Sequence, residues 1–213
     1  IQYVKQAKED YRERLTNALA SGEGPDIFEI HNTWVSMFIK DLEILPPSIM
    51  SSEDYKNIFY PVIAADFTTP NGIIGIPLEY DALTLFINED IFASAAQVPP
   101  KTWNDLRDLA IKLTQRDDKK LIIQSGVGLG LTENVNHWQE ILALMMLQNG
   151  VDLSKPQGQA AIDALSFFIQ FSKEDKVWDA TLPPSMLAFA RSRVAMYFGP
   201  SREAYDIAQL SPN

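Results

Sequence analysis

Three short segments of the chain combine the polar and aromatic side chains that suit a hydroxyl-rich ligand. They are residues 31–34 (His-Asn-Thr-Trp), 78–81 (Leu-Glu-Tyr-Asp) and 199–202 (Gly-Pro-Ser-Arg). Carboxylates and amides hydrogen-bond hydroxyl groups, while aromatic rings pack against apolar faces such as those of a sugar ring. The candidate ligand contacts in these segments are His31, Asn32, Trp34, Glu79, Tyr80, Asp81, Ser201 and Arg202.

Glu79 and Asp81 also raise the alternative of a carbohydrate hydrolase. Glycoside hydrolysis uses two carboxyl groups that flank the scissile bond, one of them with a raised pKa. A spacing of two residues places both side chains on the same side of an extended segment. The sequence offers no partner for them across a cleft, so it favours binding over catalysis.

Other catalytic chemistries find little support in the residue pattern. His31 and His137 are the two histidines, and no HExxH-like spacing places them for a metal. The chain has no cysteine, which excludes thiolate zinc sites and cysteine nucleophiles. Residues 126–130 (Gly-Val-Gly-Leu-Gly) resemble a dinucleotide loop superficially, but Leu131 stands in place of the third glycine. We therefore expect this segment to be a turn that allows backbones to approach closely, and we expect neither a metal nor a cofactor.

The charge of the chain disfavours two classes of partner. The net charge is −10, and residues 26–99 carry eleven acids against two lysines. Nucleic acids and anionic membranes bind proteins through clustered cationic side chains. An acidic chain with no basic cluster predicts neither nucleic-acid binding nor attachment to an anionic bilayer.

Short apolar runs alternate with amphipathic stretches, which predicts an α/β fold with helices covering a sheet. In the first part we expect a helix over 8–20 that ends at Ser21-Gly22 and strands over 26–30, 73–76 and 82–87. We also expect a helix through 34–38 that is capped by Asn32 or Thr33. The continuously apolar strand over 82–87 is expected to be buried on both faces.

The second part of the chain continues the same alternation. Thr102 and Asp105 form a capping-box pattern at a helix start. Beyond them we expect strands over 121–123 and 194–198, helices from about Asn136 to Asn149 and from about Ser154, and a last helix capped by Ser201. In open α/β sheets, ligands bind beyond the carboxyl ends of strands, which is where the three candidate segments lie in this prediction.

Four sets of residues give the chain a family resemblance. They are 21–27 (SGEGPDI), 75–77 (GIP) with 85–92 (LFINEDIF), 99–106 (PPKTWNDL), and 189–196 (FARSRVAM) with Gly199-Pro200. In this order and spacing they resemble the extracellular solute-binding proteins of carbohydrate ABC importers, the maltose-binding-protein-like family. The resemblance covers nearly the whole chain.

The resemblance implies an α/β, two-lobed periplasmic-binding-protein-like fold of type II, incomplete in this chain. Residues 1–78 would form part of the N-terminal lobe, 79–81 the first hinge crossing, and 82–213 part of the C-terminal lobe. Members of the family begin upstream of the residue that matches Ile1 and continue beyond Asn213. We therefore expect this chain to be a portion of a longer protein.

The resemblance also implies roles for individual residues. Asp81 falls where the family often has a carboxylate that accepts hydrogen bonds from sugar hydroxyls, and Asn32 and Trp34 fall in the loop that lines the first lobe's side of the cleft. Ser201 stands where relatives commonly carry a stacking tryptophan, which puts that platform in doubt. A further contact region of the family lies near Asn134, His137 and Trp138.

The function implied is capture of a sugar or oligosaccharide in an interlobe cleft and its delivery to an ABC transporter permease, without chemistry on the ligand. The protein would be extracytoplasmic, in the periplasm or at the cell surface, and would meet the membrane only through the permease or a lipid anchor outside this chain. Two alternatives stay open. They are a carbohydrate hydrolase that uses Glu79 or Asp81 and a partner-binding domain without a small-molecule ligand.

Overall fold

A computed structural model describes residues 2–211 of the chain. These residues form two compact units, which divide between Tyr80 and Asp81. The division between the units falls within the segment 79–81. That this segment acts as a hinge stays a prediction.

The first unit is mainly helical. Its elements are α1 (Tyr11–Ser21), a 3-10 turn (Asn32–Trp34), α2 (Val35–Phe38), α3 (Ser52–Ile58), α4 (Pro61–Asp66) and the two-residue strands β1 (Thr68–Thr69) and β2 (Gly72–Ile73). The first helix ends at Gly22 as predicted, because the glycine adopts the left-handed conformation that closes a helix. A small core beneath α3 and α4 contains Tyr55, Ala64 and Ile73.

Of the strands predicted for the first unit, one is absent from the described residues and another is shorter than predicted. Residues 26–30 form no strand in the described chain, and the Ile27 side chain is 78% exposed. A β-strand forms only where another segment pairs with its backbone, and a run of apolar residues does not by itself provide that partner. The strand predicted over 73–76 is limited to Gly72–Ile73, which pairs antiparallel with β1.

The second unit contains a four-stranded mixed sheet. Its elements are β3 (Leu83–Ile87), α5 (Glu89–Ser94), α6 (Trp103–Leu113), β4 (Gln115–Arg116), β5 (Ile122–Val127), α7 (Trp138–Gln148), α8 (Gly158–Lys173), α9 (Ser185–Ala190), β6 (Val194–Pro200) and α10 (Glu203–Leu210). The strand order is β3-β6-β5-β4, with β5 and β6 parallel and the other two pairs antiparallel.

The core of the second unit lies around β6. All residues from Val194 to Phe198 are buried, and α6, α7, α8 and α9 contribute to the same apolar cluster. β3 is the outer strand of the described sheet, and its Thr84 is exposed, so the prediction of burial on both faces is wrong. The antiparallel register places Leu83 opposite Pro200, which brings the start of β3 to the end of β6.

Of two helix starts predicted from local sequence patterns, the structure confirms one and places the other later in the chain. The Thr102–Asp105 capping box is confirmed, since Asp105 N donates to Thr102 Oγ1 at 3.1 Å and Thr102 N donates to Asp105 Oδ2 at 3.0 Å. The helix expected from about Ser154 begins later, at Gly158. Ser154 instead donates from its backbone N–H and its hydroxyl to Asp152 Oδ1, in a turn ahead of the helix.

The glycine-rich segment 126–130 is partly a strand and not the predicted turn, because β5 includes Gly126 and Val127. The predicted close backbone approach is confirmed. A Cβ at Gly126 would lie 2.1 Å from the Ala110 carbonyl oxygen, and one at Gly130 would lie 2.6 Å from the Ser172 nitrogen. The glycines therefore allow α6 and α8 to approach the segment around β5.

We expect Gly126→Ala to destabilise the second unit by about 3 kcal/mol, because the added methyl group meets backbone that cannot rotate away. The matched control is Gly150→Ala, whose added methyl group meets no atom within 4 Å. It should destabilise the unit by about 1 kcal/mol, because alanine is strained in the left-handed backbone conformation of Gly150. Urea unfolding followed by tryptophan fluorescence measures both. A Gly126→Ala protein no less stable than the Gly150→Ala protein would contradict the packing described here.

Candidate functional site

Asp81, Ser201 and Arg202 come together where β3 begins and β6 ends. Asp81 Oδ1 accepts hydrogen bonds from the Ser201 hydroxyl at 2.6 Å, the Ser201 backbone N–H at 2.9 Å and the Ala82 N–H at 2.8 Å. Asp81 Oδ2 accepts from Arg202 Nη1 at 3.1 Å and Arg202 N at 3.3 Å. One carboxylate therefore holds the 199–202 segment at the start of the second unit.

These hydrogen bonds determine the protonation of Asp81. Burial alone would raise the pKa of the carboxyl group, but hydrogen bonds from the Ser201 hydroxyl and from the backbone of Ala82, Arg202 and Ser201 outweigh it and lower the pKa to about 2. At neutral pH the group is an acceptor only. A general acid needs a raised pKa, so the geometry argues against that role for Asp81.

The prediction that Ser201 caps the last helix is wrong. Its hydroxyl donates to Asp81, and α10 begins at Glu203 after Arg202, without a side-chain cap. A carboxylate that is near in space but 120 residues away in sequence takes the serine's hydrogen bond. The sequence around Ser201 gives no sign of this contact.

A second polar cluster, which the sequence analysis identified only through His137, flanks the same segment. His137 Nε2 lies 2.8 Å from Glu203 Oε1, and the Tyr197 hydroxyl donates to Glu203 Oε2 at 2.6 Å. Burial and the bond to Glu203 raise the pKa of Tyr197, which keeps it a neutral donor. A Cβ at Gly199 would lie 2.5 Å from Glu203 Oε2, so the glycine leaves room for this cluster.

Asn134 and Trp138 lie close to this cluster in the sequence but contact other parts of the second unit. Asn134 Nδ2 donates to the carbonyls of Asp179 and Leu182, both at 2.9 Å, and its Oδ1 accepts from Trp178 Nε1 at 2.8 Å. The amide thus fixes the 179–182 loop. Trp138 is half-buried and lines an apolar cavity of about 170 Å³ together with Leu142, Leu165, Phe168 and Ile169.

In the first unit, His31, Asn32 and Trp34 lie on one turn. His31 Nδ1 accepts from the Thr33 N–H at 3.4 Å and caps the 3-10 turn, so the prediction that Asn32 or Thr33 caps it is wrong. Asn32 Nδ2 donates to Asp66 Oδ2 at 2.7 Å. The indole of Trp34 is half-buried, and the Arg12 guanidinium lies 5.6 Å from its ring centroid, within the range of a cation–π contact.

Glu79 and Tyr80 are both exposed at the end of the first unit. The ring of Tyr80 lies beside that of Tyr60, with centroids 5.6 Å apart. Tyr60 is not among the residues that the sequence analysis named as candidates. Its signal was a tyrosine directly before Pro61, at the start of a helix.

Within residues 2–211, no three histidine, cysteine, aspartate or glutamate side chains are arranged to hold a metal ion. None of the helices over the same residues has the length and apolar character to span a bilayer.

The chain has relatives among curated proteins and solved structures. It is 22% identical to a maltotriose-binding protein of Pyrococcus abyssi over 120 residues, which are 56% of this chain and 26% of that protein. An ABC transporter solute-binding protein of Thermotoga lettingae bound with α-D-tagatose superposes with a TM-score of 0.73 at 23% identity, covering 96% of this chain and 55% of that one. A maltose/maltodextrin-binding domain of Bdellovibrio bacteriovorus bound to maltotriose superposes with a TM-score of 0.72 at 19% identity, covering 98% and 55%.

These similarities confirm the predicted fold, the type II periplasmic-binding-protein-like α/β fold, of which the chain spans about half the length found in the solved relatives. The model of one protein family, described as bacterial extracellular solute-binding protein, matches residues 1–213. The chain therefore belongs to the family of bacterial extracellular solute-binding proteins.

Proposed function

We propose that the protein captures a sugar or oligosaccharide outside the cytoplasm and passes it to the permease of an ABC transporter. The observation that carries this proposal is the family match over the whole chain. Sugar as the ligand class is supported by relatives named for maltotriose and bound with tagatose or maltotriose. The protein would act by binding alone, with no cofactor.

We further propose that the ligand binds in a cleft between two lobes, with Asn32 and Trp34 on one side and Asp81, Ser201 and Arg202 on the other. Closure around a ligand requires favourable contacts from both sides, because only contacts that differ between open and closed states shift the equilibrium. Residues 79–81 would be the hinge between the lobes.

The side chains of the second unit suit a neutral, hydroxylated ligand. The ionised Asp81 accepts hydrogen bonds and Arg202 supplies N–H donors beyond the one that engages Asp81. By the family resemblance, Ser201 places a small hydroxyl where relatives commonly carry a stacking tryptophan. Stacking on the sugar would then depend on aromatic rings elsewhere, including Trp34.

The hydrolase alternative has weaker support. Asp81 has a lowered pKa, and its five hydrogen bonds come from the chain itself. Incubation of the complete protein with the oligosaccharides that it binds should give no cleavage product by chromatography. Turnover that is lost in Glu79→Gln or Asp81→Asn would favour the hydrolase instead.

In the complete protein, Trp34→Ala and Asp81→Ala should each weaken binding of the preferred sugar at least about tenfold, or roughly 1.4 kcal/mol, because each removes a proposed contact. Intrinsic fluorescence titration against a carbohydrate panel that includes maltotriose and D-tagatose measures the affinities. Asp118→Ala, which removes an exposed acid, is the control for charge, and its affinity should equal that of the wild type. If both site variants bind like the wild type, these contacts are wrongly assigned.

The Asp81 hydrogen bonds should also make stability depend on pH. The pKa falls from 3.8 to about 2 on folding, so the carboxylate stabilises the fold above pH 4 and this contribution is lost as the pH falls towards 2. At pH 7 we expect Asp81→Asn to be less stable than the wild type by about 2 kcal/mol. Urea unfolding of both proteins from pH 7 to pH 2.5 should show this difference shrinking at the acid end. A difference that is constant over this range would contradict the role given to the ionised group.

A further inference from the structure

Two exposed tyrosines lie side by side on the first unit. The rings of Tyr60 and Tyr80 have centroids 5.6 Å apart and an interplanar angle of 38°. Tyr60 is 67% exposed and Tyr80 is 59% exposed. In the described chain both rings bury little of their surface, so they have contact area to offer a ligand.

The buried core anchors the backbone next to Tyr60 and at Gly75, ahead of Tyr80. The ring of Tyr55 packs against Phe59, the residue before Tyr60, with centroids 4.8 Å apart. The Tyr55 hydroxyl donates to the Gly75 carbonyl at 2.9 Å, which fixes the segment that leads to Tyr80. Tyr55 itself is almost wholly buried. Tyr60 is thus attached to fixed structure, which lowers the entropy cost of using its ring to bind a ligand. Tyr80 lies beyond the anchored Gly75, in the segment that we propose as the hinge.

A short helix connects the pair to a proposed sugar contact. Tyr60 directly precedes α4 (Pro61–Asp66), and Asp66 at the other end accepts a hydrogen bond from Asn32 at 2.7 Å. A helix of 6 residues rises about 9 Å. Tyr60 and the turn that carries Asn32 and Trp34 are therefore attached to opposite ends of the same short helix.

We propose that Tyr60 and Tyr80 form a platform on which one ring of the sugar ligand stacks, with Tyr60 as a binding residue in its own right. Phenol rings offer an apolar face with a polar hydroxyl at the edge, which suits a sugar ring with its C–H faces and peripheral hydroxyl groups. The inference rests on the proposed function, because this platform serves a sugar ligand.

The test is isothermal titration calorimetry on the complete protein. The ligand is the sugar that the wild type binds most tightly in a panel that contains maltotriose and D-tagatose. Tyr60→Ala and Tyr80→Ala should each weaken binding about fivefold, which is the scale of one aromatic packing contact. Tyr60→Phe keeps the ring and should change the affinity less than about threefold. Tyr3→Ala removes another exposed tyrosine of the first unit and should bind like the wild type.

The outcomes separate this inference from the proposed function. If the wild type binds no sugar of the panel, the proposed function fails and the platform fails with it. If the wild type binds but Tyr60→Ala changes the affinity less than about threefold, or Tyr60→Phe costs as much as Tyr60→Ala, only the platform is overturned. Thermal melting of each variant checks its fold. If Tyr60→Ala does not fold, the affinity of Tyr80→Ala decides by the same threshold.

Discussion

The candidate site of the second unit depends on one carboxylate. Asp81 is the first residue of the unit, and its two oxygens accept five hydrogen bonds, four of them from Ser201 and Arg202. The antiparallel pairing of β3 and β6 brings these residues together, since Leu83 lies opposite Pro200. The start of the second unit is therefore tied by hydrogen bonds to the 199–202 segment, which carries polar residues of the candidate site.

Several side chains that the sequence predicts as ligand contacts already have hydrogen-bond partners within the protein. The sequence predicts Asp81, Asn32 and Asn134 as ligand contacts, and each already makes hydrogen bonds within its own unit. A sugar that used the same atoms would have to share or replace those bonds. Side chains that are largely exposed, such as Tyr60 and Tyr80, have more surface available to contact a ligand.

Features determined by neighbouring residues were predictable from the sequence. The Thr102–Asp105 capping box and the glycine that ends α1 depend on contacts within a few residues, and both are as expected. Residues 26–30 have the pattern of a strand but form none, because a strand exists only where another chain segment pairs with it. Ser201 failed as a helix cap for a related reason, because its partner Asp81 lies 120 residues earlier.

The central claim is that a sugar is held by residues of both units. A crystal structure of the complete protein with its preferred sugar tests this most directly. We expect the sugar to contact Trp34 from one side and the 199–202 segment from the other, with Asp81 ionised and still bound to Ser201. A sugar bound by one unit alone, or bound away from these segments, would contradict the claim.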